Sequence, residues 1–220
     1  MKNISIALDG PSGSGKSTVA KFLSKKLNIL YLDTGAMYRA CAVKALKLGI
    51  DTLDEEKVKS FINNINIEIK YENGSQKTFL DGEDVSEKIR EPQVSMAASN
   101  ISSLKCVRLK MVEMQRKIAE KMSCVLDGRD IGSYVLPDAD YKFYITASVD
   151  VRATRRYTEL LAKGHKVDFN ELKKEIEQRD YNDSHRDFAP LTCAADAVII
   201  DTSKLNIDEV VDKVFSYIKK

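Results

Sequence analysis

Features that indicate a membrane protein, a secreted protein or a zinc protein are scarce in this sequence. No apolar run approaches the roughly 20 residues of a membrane span, and no secretory leader opens the chain. The four cysteines form no C-x-x-C pair, and the two histidines stand apart from them, which argues against a zinc site. We therefore expect a cytoplasmic protein in which most cysteines are buried, reduced thiols.

A strong excess of charge is also lacking. The formal net charge is +2, and no aromatic stacking motif is present, so we expect binding to neither nucleic acid nor a membrane. Hydrophobic residues make up 43% and charged residues 31% of 220 residues, which is typical of a soluble globular chain with a sizeable core. We expect a monomer.

What the sequence does contain is a glycine-rich motif near its start. The pattern G-x-x-x-x-G-K-[ST] stands between an apolar run and a helix-forming run, which is the context of a phosphate-binding loop. Lys16 would reach the β- and γ-phosphates of a nucleotide, and the Ser17 hydroxyl would bind Mg²⁺. The motif predicts ATP binding, with Mg²⁺ as cofactor, at Gly10, Pro11, Ser12, Gly13, Ser14, Gly15, Lys16, Ser17 and Thr18.

Short apolar runs alternate with amphipathic helical stretches along most of the chain. The strand candidates are residues 4–8, 29–32, 124–126, 141–146 and 197–200. The helix candidates are residues 18–27, 36–48, 104–122, 149–161, 169–182 and 207–218. This alternation predicts a three-layer α/β fold of the P-loop NTPase type, with a five-stranded parallel sheet covered by helices.

Two segments interrupt the alternation. Residues 65–71 alternate with period two, a turn at Asn73-Gly74 follows, and residues 77–80 continue to a second turn at Asp81-Gly82. This pattern predicts a small antiparallel sheet inserted into the α/β core. The basic segment from Arg152 to His165 is a second candidate insertion.

Arginine is placed selectively, because eight of the ten arginines fall in a few short segments. Thr34 and Arg39 follow a strand candidate and could hold an anion there, although a helix N-cap followed by an exposed arginine explains them too. The run 127–130 also follows a strand; it could be a turn held by local ion pairs, or a site in which Asp127 supports Mg²⁺.

Further along, Arg179, Asp183 and Arg186 would share one face of a helix, either as solvated ion pairs or as part of a site. The charges of Arg152, Arg155 and Arg156 repel one another unless an anion binds between them. A mobile lid that closes over polyphosphate would supply that anion.

Taken together, the phosphate loop, the runs D-T-G-A-M-Y-R, D-G-R-D and R-x-x-x-D-x-x-R, and the inserted sheet resemble bacterial cytidylate kinases, which are nucleoside monophosphate kinases. The resemblance runs nearly from end to end. It implies a single domain, 1–220, with a core of residues 1–35, 100–150 and 170–220. An NMP-binding lobe would span about 36–99 and a short lid about 151–169.

The resemblance implies Mg²⁺-dependent transfer of the ATP γ-phosphoryl group to CMP or dCMP. Within it, Arg39, Arg129 and Arg186 would hold the acceptor phosphate with Thr34 nearby, where relatives can carry Ser. Ser99, Arg108 and Asp130 would face the cytosine, and Arg179 and Asp183 the sugar hydroxyls. The catalytic set would be Lys16, Arg129, Arg155, Arg156 and Arg186, with Arg155 and Arg156 acting from a lid that closes on the transferred phosphoryl group.

Base choice has a physical reason, since the Asp130 carboxylate would accept a hydrogen bond from the cytosine amino group and repel the O4 of uracil. Two other interpretations remain open at this point. One is a P-loop kinase for another small acceptor such as UMP or shikimate, and the other is a nucleotide-dependent regulatory ATPase.

Overall fold

The computed structural model describes residues 3–72 and 75–218, which divide into two compact units. Unit 1 comprises the chain up to Tyr31 and from Met122 onward, and unit 2 comprises Leu32–Lys121. Within the described residues, no helix has the length and apolar character needed to cross a membrane.

A five-stranded parallel sheet carries the fold, in the strand order β2-β6-β1-β7-β8. Its strands are β1 (Ser5–Asp9), β2 (Leu30–Asp33), β6 (Cys124–Gly128), β7 (Tyr141–Thr146) and β8 (Val198–Asp201). All five were predicted from the sequence, to within two residues at each end. The predicted parallel sheet is therefore confirmed.

The core of unit 1 forms where the central strands meet two helices, α1 (Lys16–Leu27) and α8 (Ile207–Ile218). Leu8 and Ile145 from the strands and Leu23 and Val214 from the helices are all fully buried there. Strands buried on both faces are apolar throughout, which is why β1 and β6 show no alternation in the sequence. A smaller apolar cluster joins α6 (Val149–Ala162) to α7 (Phe169–His185) through Ala153 and Ile176.

Unit 2 holds the second sheet, formed by the antiparallel strands β3 (Ile67–Glu72), β4 (Ser75–Leu80) and β5 (Glu83–Asp84). This confirms the predicted small antiparallel sheet; Asn73 and Gly74 of its predicted turn lie outside the described residues. The helices of the unit are α2 (Thr34–Lys47), α3 (Glu55–Ile62), α4 (Pro92–Ile101) and α5 (Lys105–Lys121). The sequence analysis did not predict α3, α4 or β5.

Two expectations are wrong. Helix α7 continues to His185, and Arg186 follows it with an extended backbone (φ −69°, ψ 145°), so Arg186 does not share a helix face with Arg179 and Asp183. All four cysteines are free thiols, but only Cys41 and Cys124 are buried, whereas Cys193 is exposed. The predicted lid, 151–169, covers most of α6 and the segment that leads into α7.

Candidate functional site

The phosphate loop leaves the end of β1 and enters α1 through backbone conformations that only glycine adopts readily. Gly10 has φ +142°, and a Cβ atom there would lie 2.0 Å from the carbonyl oxygen of Ile145. Gly13 has φ +76°, and its Cβ would lie 3.2 Å from Cβ of Arg152. The loop therefore needs glycine at both positions, for conformation and for space.

Lys16 is the first residue of α1, and its side chain turns back into the loop. The residue is 5% exposed, and Nζ donates a hydrogen bond to the carbonyl oxygen of Pro11 at 2.7 Å. Burial and, to a smaller extent, the charge of Arg129 lower the pKa of Lys16 to about 7, although the charges of Asp127, Asp9 and Asp183 raise it. Lys16 thus stands within reach of the charges of two other sequence-predicted site residues, Arg129 and Asp183.

Ser17 and Asp127 form a close pair at the end of β6. Ser17 Oγ donates a hydrogen bond to Asp127 Oδ2 at 2.5 Å, and the hydroxyl of Tyr31 donates to Asp127 Oδ1 at 3.1 Å. A hydroxyl and a carboxylate are hard oxygen ligands of the kind Mg²⁺ takes. The part of the chain that the structure describes contains no group of three His, Cys, Asp or Glu side chains that could hold a metal, so nucleotide phosphates would have to complete the coordination.

An acidic and basic cluster in unit 1 gathers residues that lie more than 50 positions apart in the sequence. Arg129 Nε donates to Asp183 Oδ2 at 2.6 Å, and Arg186 Nη2 lies 3.5 Å from Asp130 Oδ1. Burial raises the pKa of Asp183, but the charges of Arg129 and Arg179 outweigh it and hold that pKa below its usual value. The cluster therefore combines carboxylates with guanidinium groups suited to anions.

The three arginines of α6 have different surroundings. Arg152 is 3% exposed; it donates to the carbonyl oxygens of Ala147 and Ser12 and pairs with Asp180 at 2.5 Å. Arg155 donates to the side chain and to the carbonyl of Thr202, at 3.0 and 2.8 Å. Arg156 is half-buried on the helix and pairs with Glu159, one turn further along α6, at 2.8 Å.

A cavity of about 290 Å³ opens beside the phosphate loop. It is lined by Ser14, Gly15, Thr18, Val19, Arg155, Thr202, Leu205, Asn206, Ile207 and Val210. Part of this lining is apolar, and hydroxyl, amide and guanidinium groups complete it, as in pockets that hold a heterocyclic base.

Four of the sequence-predicted residues lie in unit 2. Thr34 is the first residue of α2 and is buried. Arg39 Nη2 pairs with Asp33 at 2.7 Å. Asp33 also caps the helix, because its side chain accepts a hydrogen bond from the N–H of Ala36.

The other two are Ser99 and Arg108. Ser99 is half-buried on α4, and Arg108 is fully buried on α5, where it lies 5.4 Å from the ring centroid of Tyr38 and donates to the carbonyl oxygen of Ser102 at 3.3 Å.

Several contributors to this site were not predicted from the sequence. In the sequence, Tyr31 stands within an apolar strand and Arg152 within a cluster of three arginines, and neither pattern indicates its contact. Thr202 and Asn206 follow β8, where the only local signal is the helix-capping pattern of Asn206 with Glu209, although residues that follow parallel strands line the ligand crevice in folds of this type. That position in the fold was the one signal that could have found them.

Comparison with known proteins identifies the family. The family model described as cytidylate kinase matches residues 6–220. A cytidylate kinase of Caldicellulosiruptor saccharolyticus is 50% identical over 220 residues, which cover 100% of this chain and 97% of that protein. A cytidylate kinase of Clostridioides difficile is 51% identical over 218 residues, which cover 99% of each protein.

Among solved structures, an uncharacterized protein from Eubacterium ventriosum matches with a TM-score of 0.54 and 18% identity over 99% of each chain. That likeness supports the fold alone. The family match and the two relatives, each about half identical over the full length, lead to one conclusion: the chain belongs to the cytidylate kinase family.

Proposed function

We propose that this protein transfers the γ-phosphoryl group of ATP to CMP or dCMP and releases ADP with CDP or dCDP. One observation carries the proposal beyond family membership. Ser17 of the phosphate loop donates to Asp127 at 2.5 Å, and Asp127 stands two residues before Arg129, which supports one site in unit 1 for the ATP-binding loop and the arginine cluster. A phosphate loop next to arginines fits a reaction between two anions.

The reaction requires little chemistry from side chains. The second pKa of a phosphate monoester is near 6, so the attacking oxygen of the acceptor is mostly ionised at pH 7 and needs no general base. What remains is to align two polyanions and to neutralise their charge. Lys16, Arg129 and Arg186 provide positive charge for this purpose.

Ser17 and Asp127 fit a site for Mg²⁺ together with phosphate oxygens of ATP, because their oxygens face each other and are hard ligands. When bound, the ion would neutralise charge on the transferred phosphoryl group. Tyr31 holds the second oxygen of Asp127 and so fixes the orientation of that carboxylate.

The cavity beside the phosphate loop is the proposed place for the adenine and ribose of ATP. Val19, Leu205 and Ile207 provide apolar surface for a base, and Asn206 provides an amide. Arg155, held by Thr202, lies in the wall of the same cavity and is the better placed of the two predicted lid arginines to contact the nucleotide.

The acceptor is assigned by resemblance to the remaining residues. In unit 1, Asp130 would accept from the cytosine amino group, Arg129 and Arg186 would hold the phosphate, and Arg179 and Asp183 the sugar. In unit 2 the resemblance assigns Thr34 and Arg39 to the phosphate and Ser99 and Arg108 to the base. On the same basis, residues 36–99 are the proposed NMP-binding lobe and residues 151–169 the proposed lid.

An assay of ADP release across an acceptor panel tests the proposal. With ATP and Mg²⁺, kcat/KM for CMP and dCMP should exceed that for UMP, AMP and shikimate by at least about tenfold. A preference for UMP or shikimate would support a different small acceptor, and ATP turnover that no acceptor stimulates would support a regulatory ATPase. Neither alternative is favoured by the family membership.

We also infer that the protein is a cytoplasmic monomer. We infer further that it binds neither nucleic acid nor a membrane, because a net charge of +2 gives it no large excess of positive charge. Light scattering on the purified protein tests the monomer, and a mass of two or more chains would contradict it.

A further inference from the structure

Asp9 ends β1 immediately before Gly10 of the phosphate loop, and its carboxylate is buried at 4% exposure. Oδ1 accepts a hydrogen bond from the N–H of Ile131 at 2.7 Å, and Oδ2 accepts one from the N–H of Gly132 at 2.7 Å. Two adjacent backbone amides therefore hold both oxygens of one carboxylate. Charge-assisted hydrogen bonds of this kind are among the stronger ones in proteins.

Those two amides belong to the turn that starts at Asp130. Residues Ile131–Val135 form one turn of π-helix, and the carbonyl oxygen of Asp130 accepts from the N–H groups of Tyr134 and Val135. Asp130 does not cap this turn with its own side chain. The capping carboxylate comes instead from Asp9, more than 120 residues earlier in the chain, while the side chain of Asp130 pairs with Arg186.

Close packing keeps the turn against the sheet. A Cβ atom on Gly132 would lie 3.2 Å from Cδ of Lys142 and 3.4 Å from Cβ of Ala7, so the turn rests directly on β1 and β7. The position of Asp130 and of the preceding Arg129 is thus tied to the strand from which the phosphate loop departs.

The fold favours the protonated form of Asp9 over the carboxylate more than the unfolded chain does. Burial raises the pKa of Asp9 to about 6, although the hydrogen bonds from the two amides lower it. The charged or titratable groups that face Asp9 are Asp130, Lys16, Tyr144 and Cys193. Because the folded protein holds this proton more tightly than the unfolded chain does, the contribution of Asp9 to stability falls as pH rises from about 4 to 6. At neutral pH the buried carboxylate is therefore held by the two amides against the cost of its burial.

We propose that Asp9 is a positioning residue, which fixes Asp130 and Arg129 relative to the phosphate loop so that the acceptor meets the γ-phosphate in line. This inference rests on the proposed function. Alignment matters because a displacement of about 1 Å in a phosphoryl-transfer site can lower the rate about 100-fold.

The variant Asp9→Asn tests the role. Asparagine keeps one acceptor but turns an N–H donor toward the second amide, so one bond is lost and the turn is displaced. We expect kcat/KM for CMP to fall about 10- to 100-fold, the preference for CMP over UMP to narrow, and KM for ATP to change less than about threefold. The free energy of unfolding at pH 7.5 should be equal to or greater than that of the wild type.

Asp140→Asn is the matched control, because Asp140 also accepts a backbone N–H of β1, that of Ser5, but at the opposite end of the strand and on the surface. It should leave the CMP-to-UMP ratio unchanged. Hydrogen exchange of the peptide over residues 129–135 supplies a readout that needs no activity, and exchange at Ile131 and Gly132 should be faster in Asp9→Asn.

Two outcomes overturn the positioning role alone: wild-type CMP kinetics and selectivity in Asp9→Asn, or lower stability with unchanged kinetics of the folded fraction. If the wild-type protein does not phosphorylate CMP, the proposed function fails, and the positioning role fails with it. If Asp9→Asn does not fold, Asp9→Glu is measured instead, because it keeps the carboxylate but lengthens the side chain by one methylene and so displaces the turn held by the two amides. A narrower preference for CMP over UMP in Asp9→Glu supports the role, and the wild-type preference overturns it.

Discussion

Arg129 and Asp183 form an ion pair with Nε and Oδ2 2.6 Å apart, which joins the turn after β6 to α7. Both side chains are largely buried, and Arg186 Nη1 approaches the same carboxylate at 3.9 Å. One carboxylate thus orients two guanidinium groups. Guanidinium groups held in place before the ligand arrives lose little conformational freedom when they bind a phosphate.

Removal of Arg186 should impair both binding and catalysis. Arg186→Ala is expected to raise KM for CMP and to lower kcat, with a combined loss of about 100-fold or more in kcat/KM, because a phosphate clamp also aligns the acceptor. Steady-state kinetics with CMP varied at saturating ATP measure the effect. Arg90→Ala, which removes an exposed arginine of unit 2, is the control. Wild-type kinetics in Arg186→Ala would show that this residue does not contact the acceptor.

Asp130 should determine the choice of base. Asp130→Asn replaces a pure acceptor with a group that can also donate to the O4 of uracil, so the preference for CMP over UMP should narrow by about tenfold. Relative kcat/KM for the two acceptors measures the change. The exposed residue Asp138 offers a matched control, since Asp138→Asn makes the same chemical change away from the cluster. Equal ratios in Asp130→Asn and the wild type would remove Asp130 from base recognition.

The Ser17 hydroxyl should matter for the metal. Ser17→Ala is expected to weaken the Mg²⁺-dependent part of ATP affinity by about tenfold, whereas Ser17→Thr, which keeps the hydroxyl, should retain it. Calorimetric titration of ATP with and without Mg²⁺ separates this effect from binding of the nucleotide alone. If Mg²⁺ raises the ATP affinity of Ser17→Ala and of the wild type by the same factor, the metal does not bind at the Ser17–Asp127 pair.

Binding of ATP should be coupled to protonation of Lys16. The pKa of Lys16 is lowered to about 7 by burial and by Arg129, so at pH 8 the amine is mostly neutral. The phosphates of ATP favour the ammonium form and raise that pKa, so binding at pH 8 takes up a proton and affinity falls as pH rises through 7. Calorimetry in two buffers of different ionisation enthalpy measures the uptake. Lys16→Arg, whose side chain does not titrate, should abolish it, and equal uptake in that variant would exclude Lys16 as the source.

Arg152 should contribute more to stability than any exposed arginine. Arg152→Met leaves the partly buried Asp180 without its partner and the carbonyl oxygens of Ser12 and Ala147 without a donor, so we expect a loss of about 3–5 kcal/mol. Arg156→Met on the same helix removes only a surface ion pair and should cost less than about 1 kcal/mol. Urea unfolding measures both. Similar losses in the two variants would contradict the structural role of Arg152.

The elements that were predicted correctly from the sequence are mainly those whose residue pattern follows from burial. The five parallel strands are apolar because both faces are covered, and the phosphate loop has a fixed spacing that backbone geometry imposes. Helices α3 and α4 escaped prediction because they have only eight and ten residues, which is too short for a helical period to stand out. The end of α7 was misplaced because polar residues continue past Asn182, so no change in composition marks the helix end at His185.

The site was predictable to the extent that its residues belong to short local motifs. Asp127, Arg129 and Asp130 stand together in sequence, and the position after a strand marks them. Asp9 and Tyr31 were not predicted as site residues, because each acts through a hydrogen bond to a residue about 100 positions away. Such pairs depend on strand order in the sheet, which places β1 and β2 on either side of β6. Spacing along the chain does not encode that order.

The most direct test of the account is ³¹P NMR of the purified protein with ATP, Mg²⁺ and CMP. We predict that the γ-phosphate resonance of ATP disappears as the resonances of CDP and ADP appear in equal amounts, with no accumulation of inorganic phosphate. Release of inorganic phosphate without CDP, or ATP that stays intact beside CMP, would contradict the claim that this fold joins the two nucleotides for phosphoryl transfer.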